Sequence, residues 1–207
     1  MMIWILLFFS YLLGSISGSL LIGKLRGVDI RNLGSGNAGG TNAFRTQGIK
    51  FALGVVIIDV GKGLIAAFFA QYFFGVAHDA VYLAVFAAVV GHIWPIFHSF
   101  RGGKGAATLV GGLMLAWPQA LLVLIIVWLL CLMISGYVGL STIIASMSLM
   151  LSAYLFHAEW ARWEFAIACS ILLTYSHRSN LQRLWQGNEN RFEKARIIGR
   201  LFSPKRG

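Results

Sequence analysis

A run of small polar residues and glycines, residues 34–42 (GSGNAGGTN), follows the first long apolar stretch of the chain. Glycines let backbone N–H groups converge on an anion, and Ser35, Asn37 and Thr41 add side-chain donors. Arg45 follows one helical turn later and can offer a forked donor to a phosphate or carboxylate. The segment predicts an anion site, although the same composition is also typical of a flexible loop.

A second glycine-rich segment runs from Arg101 to Gly105 (RGGKG) and leads directly into an apolar stretch. A glycine loop before a helix can bind an anion, because free N–H groups and the helix dipole point at the ligand. Gly102, Gly103 and Gly105 would supply that backbone, and Lys104 adds a full positive charge. The G-x-x-x-x-G-K-[ST] spacing of nucleotide-binding P-loops is absent. We therefore predict a phosphate site without a nucleotide; the alternative is a loose turn whose lysine extends to the lipid headgroups.

A third group of polar residues follows the last apolar stretch. His177 and Asn180 are three residues apart, so they share one helix face if the helix continues. Arg183 and Glu189 lie further along the same segment. The alternative is an amphipathic tail that lies on anionic lipid, and we expect such a tail from Arg191 onward.

Two charged residues interrupt the second apolar stretch. Asp59 and Lys62 are three residues apart, and charges within a membrane usually face the bundle interior and pair with each other. We predict a structural ion pair and prefer it to direct catalysis by either residue. His92, near the end of the third apolar stretch, is either a ligand of a substrate phosphate or a buried histidine satisfied inside the bundle.

Several other chemistries lack their residues. The five histidines form no H-x-x-x-H pair and have no cysteine beside them, so we expect no metal site and no cofactor. The G-x-S-x-G motif of serine hydrolases is absent, as is the H-x₄-D arrangement of many glycerolipid acyltransferases. Cys131 and Cys169 lie in apolar stretches and indicate no disulfide framework.

The elements that must position these residues are membrane helices. The chain is 58% hydrophobic and only 12% charged, with a mean hydropathy of +0.76, which excludes an ordinary soluble domain. A span needs about 20 residues. We predict an all-α, polytopic membrane protein with about seven transmembrane helices in one domain over residues 1–207. The predicted spans are roughly 2–22, 51–74, 80–97, 105–117, 119–135, 139–157 and 163–176.

The distribution of basic residues predicts the orientation of these spans. The net charge is +10, and fifteen of the 17 lysines and arginines fall in the odd-numbered connections or in the tail that starts at about residue 178. Cytoplasmic segments of membrane proteins carry this excess. We therefore predict an N-terminus outside and a cytoplasmic C-terminus, with all three polar clusters on the cytoplasmic side. The uncharged connection 135–141 is either a tight turn or a segment that dips into the membrane.

Taken together, the clusters resemble the bacterial PlsY family, which are integral-membrane glycerol-3-phosphate acyltransferases that use acyl-phosphate as donor. The resemblance covers nearly the whole chain, with the motifs in the family's order. One departure is Gly40, where alanine is common. The matching motifs are S35-GNAGGT-N42, D59-x-x-K62-G63, G91-H92-x-x-P95, G102-GKG-x-A107-T108 and H177-x-x-N180-x-x-R183-x-x-x-G187-x-E189.

The resemblance implies transfer of a fatty acyl group from acyl-phosphate to the 1-hydroxyl of sn-glycerol 3-phosphate, giving lysophosphatidic acid and phosphate. It implies that Ser35 and Arg45 are required, that residues 102–105 bind phosphate, and that His177 and Asn180 support activity. It also implies a structural role for Glu189. We expect Ser35, Lys104, His177 and Asn180 to be catalytic, with Asn37, Thr41, Arg45, His92 and the three loop glycines binding substrate.

Two phosphorylated substrates would explain two anion sites on one membrane face. The alternative is a transporter or channel for a phosphorylated anion, although such proteins often carry internal repeats and helices broken at the midplane. We expect a monomer in the bacterial inner membrane, in contact with lipid and not with nucleic acid. The base that deprotonates the glycerol hydroxyl is either a histidine or a phosphate oxygen of the donor itself.

Overall fold

The structure is a computed structural model that describes residues 1–76 and 78–201. Within these residues the regular elements are helices, with no strand. The α-helices are α1 (Met2–Gly14), α2 (Gly18–Leu25), α3 (Gly40–Gln47), α4 (Ile49–Phe74), α5 (Ala80–Ile93), α6 (Ala106–Ala116), α7 (Pro118–Ser135), α8 (Val138–Leu155), α9 (Trp160–Ser176), α10 (Arg178–Trp185) and α11 (Ile197–Leu201).

The chain folds as two compact units, Met1–Pro118 and Gln119–Gly207, of which the second is described as far as residue 201. The first unit contains the two glycine-rich segments with α1 to α6, and the second contains the third polar cluster. The single integral-membrane domain expected over residues 1–207 stays a prediction.

Each predicted span contains a helix, but the helices differ in length. Four are long and apolar enough to cross a membrane: α4, α5 with the turn after it, α7 and α8. The pair α1 and α2 gives a fifth if it is taken as one span, bent by 45°. With 11 residues, α6 reaches about 16 Å, roughly half of a hydrocarbon core. Seven complete spans and the orientation of the termini therefore stay predictions.

The first predicted span, 2–22, is not a straight helix. It breaks between Gly14 and Gly18, two residues that favour an interruption because glycine weakens a helix. A break inside a membrane leaves backbone groups without their helical partners, and neighbouring side chains must satisfy them. In this protein those side chains come from α4.

The helices of the first unit approach closely where glycines face them. A Cβ atom on Gly14 of α1 would collide with the backbone of Ala88 in α5. A Cβ atom on Gly63 of α4 would collide in the same way with Thr108 in α6. Close backbone approach lets helices associate in lipid, where no hydrophobic driving force acts between them. These contacts fix α4, α5 and α6, and the two polar segments are attached to the ends of these helices.

The connection after α7 is a tight turn. Gly136 has a φ of +77°, and α8 begins two residues later at Val138. The C-terminal segment covers this turn: the N–H of Phe192 donates to the carbonyl of Gly136 at 2.7 Å, and Arg191 Nε donates to the carbonyl of Ser135 at 3.0 Å. Of the two alternatives for the connection 135–141, the structure supports the tight turn.

Candidate active site

The first polar segment is organised around the buried side chain of Asn42, near the start of α3. Its Nδ2 atom donates to the carbonyls of Ile30, Leu33 and Asn37 at 3.2, 2.9 and 3.1 Å. Its Oδ1 atom accepts a hydrogen bond from the backbone N–H of Ser35 at 2.9 Å. One amide therefore holds four points of the loop, so the segment is an ordered loop rather than the flexible one that its composition also allowed.

The side chains predicted to bind substrate lie on the outer side of this loop. Ser35, Thr41 and Arg45 are exposed, and Asn37 is half-buried. Thr41 and Arg45 are four residues apart on α3, so they share one face of that helix. The loop thus presents hydroxyl, amide and guanidinium donors from a backbone that Asn42 fixes.

The glycine loop before α6 packs against the C-terminal end of α5. The N–H of Gly102 donates to the carbonyl of Ile93 at 3.2 Å, and the N–H of Gly103 donates to that of His92 at 3.1 Å. In this structure these two N–H groups satisfy helix-end carbonyls. The first N–H groups of a helix have no partner within the helix, so the backbone donors suited to an anion are those at the start of α6. Lys104, half-buried, lies two residues before the first residue of that helix.

Gly105 shows why a glycine is required at the end of this loop. It is the residue before α6 and has a φ of +87°, a backbone conformation that side chains disfavour. A Cβ atom there would lie 2.8 Å from Cγ1 of Val89 and 3.2 Å from Cδ1 of Ile93. Both backbone angle and packing therefore favour glycine, whereas the predicted phosphate contacts of Gly102, Gly103 and Gly105 stay predictions.

The two polar segments lie beside each other in the first unit. Arg31 Nη1 donates to the carbonyls of His98 and Arg101 at 3.3 and 3.5 Å, so it links the first loop to the segment before Gly102. A Cβ atom on Gly103 would lie 3.0 Å from the carbonyl oxygen of Ala38. The backbone of Ala38 in the first polar segment therefore lies beside Gly103 in the glycine loop.

Asp29 keeps Arg31 in position for this link. The two side chains form an ion pair at 2.7 Å, and Arg31 Nε also donates to Asp29 Oδ1 at 3.0 Å. Hydrogen bonds from Arg31 hold the pKa of the Asp29 carboxyl below its usual value. The same hydrogen bonds raise the pKa of Arg31, so both groups stay charged at neutral pH.

The predicted ion pair inside α4 is present. Lys62 Nζ lies 3.3 Å from Asp59 Oδ1, and both side chains are buried. Lys62 also donates to the carbonyls of Gly14 and Ile16 at 2.8 and 2.6 Å, and Asp59 Oδ1 accepts from the N–H of Gly18 at 3.1 Å. The pair therefore satisfies the backbone groups that the break between α1 and α2 exposes. The structural role assigned to both residues stays a prediction.

His92 is buried at the end of α5, between that ion pair and the glycine loop. Its Nδ1 atom lies 3.6 Å from Asp59 Oδ1 and has no hydrogen-bond partner among the described residues. On the other side, a Cβ atom on Gly103 would collide with Nε2 of the ring. Direct contact between His92 and a phosphate stays a prediction.

The third cluster lies in the second unit, at a break between two helices. α9 ends at Ser176 and α10 begins at Arg178, so the helix does not continue unbroken through His177. The condition for a shared helix face with Asn180 is therefore not met, because the backbone of His177 leaves helical geometry at φ −96° and ψ 8°. His177 Nδ1 lies 2.8 Å from the carbonyl oxygen of Leu173. Since a carbonyl can only accept, the hydrogen bond to Leu173 is made by the form of the ring that carries a proton on Nδ1.

Glu189 ties the rest of this cluster together. Its Oε1 atom accepts from Asn180 Nδ2 at 2.6 Å, and its Oε2 atom accepts from Arg183 Nε at 2.7 Å. The Glu189 side chain is only 4% exposed. A Cβ atom on Gly139 would lie 2.6 Å from Nδ2 of Asn180, so that amide is closely packed as well. Glu189 thus orients Asn180, which supports a structural role for the carboxylate.

The sequence of this chain is similar to that of a known enzyme family. A sequence model described as glycerol-3-phosphate acyltransferase matches residues 4–187. The chain belongs to the glycerol-3-phosphate acyltransferase family. Family members from Aquifex aeolicus and Chlorobaculum tepidum are 40% and 37% identical, over 90% of this chain in both cases and over 97% and 95% of their own lengths.

Two solved structures of the family share this fold. Both are crystal structures of PlsY, an integral membrane glycerol 3-phosphate acyltransferase, one in the glycerol 3-phosphate form and one in the lysophosphatidic acid form. Their TM-scores are 0.88 and 0.86, their sequence identities 37% and 36%, and each alignment covers 98% of this chain and 100% of the other. The family resemblance predicted from the motifs is confirmed, and the chain is an integral membrane protein.

Sequence reasoning missed two residues that organise the candidate site. Asn42 ended the recognised motif without an assigned role, and Arg31 was counted only as a positive charge. Both act on backbone carbonyls, and a sequence pattern does not show which carbonyls a side chain reaches. In the described residues, no group of three or more His, Cys, Asp or Glu side chains is placed to hold a metal ion.

Proposed function

We propose that this protein transfers a fatty acyl group from acyl-phosphate to the 1-hydroxyl of sn-glycerol 3-phosphate. The products are lysophosphatidic acid and inorganic phosphate, and the reaction is the first step of bacterial phospholipid synthesis. The observation that carries the proposal is the juxtaposition of two segments suited to phosphate in one unit, with Ala38 of the first beside Gly103 of the second. Related structures in glycerol 3-phosphate and lysophosphatidic acid forms support the acceptor and the product.

The proposed phosphate-binding residues form two sets. Ser35, Asn37, Thr41 and Arg45 offer donors from the first loop to one phosphate group. Lys104 and the start of α6 offer a full charge and a helix dipole to a second phosphate group. Two phosphate groups, one on each substrate, match these two sets of donors. Either set can bind either substrate, because both sets suit any phosphate.

The reaction needs no cofactor. The 1-hydroxyl oxygen forms a bond to the acyl carbonyl carbon, the bond from that carbon to the phosphate oxygen breaks, and phosphate leaves with the electron pair. The hydroxyl proton passes to a base. We propose that a phosphate oxygen of the donor takes it, because the donor phosphate is bonded directly to the reacting carbonyl carbon, whichever of the two sets of donors holds it. We propose that His177 and Asn180 orient substrates.

We propose the bacterial inner membrane as the location, with the N-terminus outside and both phosphate-binding loops on the cytoplasmic side. Arg31, Arg45 and Arg101 lie beside these loops. Positive charge is enriched in the cytoplasmic segments of membrane proteins, so these residues favour a cytoplasmic location. The apolar helices that carry the loops suit a donor with a long acyl chain. We propose that the monomer is the working form.

The test is phosphate release by the purified full-length protein in detergent, with palmitoyl-phosphate as donor. We expect release that depends on glycerol 3-phosphate, with lysophosphatidic acid detected by mass spectrometry in equal amount. Ser35→Ala and Lys104→Ala should reduce it. Release without acceptor, or robust turnover with acyl-CoA as donor, would overturn the assignment of the donor and mechanism. Uptake of glycerol 3-phosphate into proteoliposomes without acylation would favour the transporter alternative.

A further inference from the structure

The end of α5 determines where the glycine loop lies. The last carbonyls of a helix have no helical partner, and in α5 the carbonyls of His92 and Ile93 accept from Gly103 and Gly102. The carbonyl of Trp94 accepts from the hydroxyl of Tyr11 in α1 at 2.8 Å. The loop therefore caps α5, and any displacement of the helix end moves the loop with it.

The side chain of His92 also contacts the glycine loop. Its residue is 3% exposed, and the ring stands between Asp59 in α4 and the Cα atom of Gly103. The ring contacts the loop closely enough that no Cβ atom fits on Gly103. Lys104, the residue that supplies the charge to the proposed phosphate site, comes directly after this contact.

Asp59 is the group that can hold the ring. Its Oδ1 atom lies 3.6 Å from His92 Nδ1, which has no hydrogen-bond partner among the described residues. A carboxylate accepts only, so its negative charge at 3.6 Å favours the tautomer and ring orientation that turn an Nδ1–H towards Asp59. Lys62 compensates the charge of Asp59 and ties it to the break between α1 and α2.

We infer that His92 and Asp59 are positioning residues for Lys104. Asp59 orients the imidazole ring, and the ring and backbone carbonyl of His92 hold Gly103, so that Lys104 and the start of α6 face the phosphate. His92 thus acts on the loop rather than on the substrate. The inference rests on the proposed function, because its readout is the KM of a phosphorylated substrate.

The first test is a double-mutant cycle between His92→Ala and Gly103→Ala. The methyl group of Gly103→Ala collides with the ring of His92, and His92→Ala removes the ring. The KM to be measured is that of the substrate whose KM rises most in Lys104→Ala. Each single variant should raise this KM about tenfold, which corresponds to a loss of about 1.4 kcal/mol of binding free energy. The double variant should be no worse than the worse single variant, because coupled residues are not additive. Defects that multiply to about a hundredfold would overturn the inference.

The second test asks whether Asp59 acts through His92. Asp59→Asn keeps the size of the side chain and should raise the same KM with little change in kcat, and combining it with His92→Ala should add little. Because Asp59→Asn leaves Lys62 buried without a countercharge, Asp59→Asn with Lys62→Gln provides a neutral second variant. It should show the same KM change.

Gln71→Leu is the matched control in α4. It removes a partly buried hydrogen bond to the carbonyl of Leu115 in α6, away from the loop, and should lower thermal stability without changing KM. If the Asp59 and His92 variants also lower only the melting temperature, their role is purely structural and the inference is wrong. Absence of turnover in the wild type would overturn the proposed function first and this inference with it.

Discussion

The side-chain carbonyl of Asn42 accepts a hydrogen bond from the backbone N–H of Ser35 at 2.9 Å, across seven residues of the first polar loop. The same amide donates to three loop carbonyls, so a single buried side chain determines the shape of the segment that carries Ser35. Side chains that bind substrate must be held close to their working geometry, and a small displacement lowers activity strongly. Asn42 therefore supports function without any need to contact substrate.

Asn42→Ala should lower kcat/KM and thermal stability together. The change leaves buried backbone groups of the loop without partners, and each such group costs about 1–3 kcal/mol. Activity assays and a thermal melt of the purified variant measure both effects. Thr46→Ala is the control: the Thr46 hydroxyl donates to the carbonyl of Asn42 one turn earlier on the same helix, and its loss should change stability by less than about 0.5 kcal/mol. Equal effects in the two variants would contradict the role given to Asn42.

Gly105→Ala should destabilise the protein and shift the start of α6. An alanine at φ +87° is strained by roughly 1–2 kcal/mol, and its Cβ atom would press on Val89. A lower melting temperature and a higher KM for a phosphorylated substrate are expected. Gly61→Ala is the matched control, because a Cβ atom at Gly61 in α4 meets nothing within 4 Å. That variant should be as stable as the wild type or slightly more so.

Lys104→Ala should raise the KM of one phosphorylated substrate more than that of the other. The side chain supplies a full positive charge beside the N-terminus of α6, where an anion is favoured. Comparing the KM values of glycerol 3-phosphate and acyl-phosphate then identifies which substrate this loop holds. Lys104→Arg should recover only part of the loss, because a planar guanidinium and a compact ammonium differ in shape. Unchanged KM values for both substrates would remove Lys104 from the site.

Much of this site was accessible from sequence because its chemistry is local. The glycines of residues 102–105 and the donors of residues 35–45 are contiguous, and the pairing of Asp59 with Lys62 follows from a spacing of three on one helix. The contact of His92 with Asp59 joins α5 to α4 across 33 residues, and helix periodicity gives no information on such a pair. The last predicted span ends at residue 176, as α9 does, but the sequence did not decide whether the helix continues through His177, because no proline or glycine marks a break there.

The predicted orientation can be measured by labelling single cysteines in intact cells, in a background where Cys131 and Cys169 are replaced. A cysteine at Asp79 or Trp160 should react with an impermeant reagent added outside. A cysteine at Arg31 or Arg196 should react only after the cells are opened, because the positive charges around these positions favour the cytoplasm. The reverse pattern would place the phosphate loops outside and exclude the proposed location of the reaction.

The base that accepts the hydroxyl proton can be identified from two histidine variants. His177 Nδ1 lies 2.8 Å from the carbonyl oxygen of Leu173, whereas His92 is buried against Asp59 and Gly103. A side-chain general base contributes about 10²–10⁴-fold. If the donor phosphate is the base, His177→Ala and His92→Ala should each lower kcat much less than this at saturating substrates. A full loss in His177→Ala, together with disappearance of the acidic limb of the pH profile of kcat, would instead identify His177 as the base.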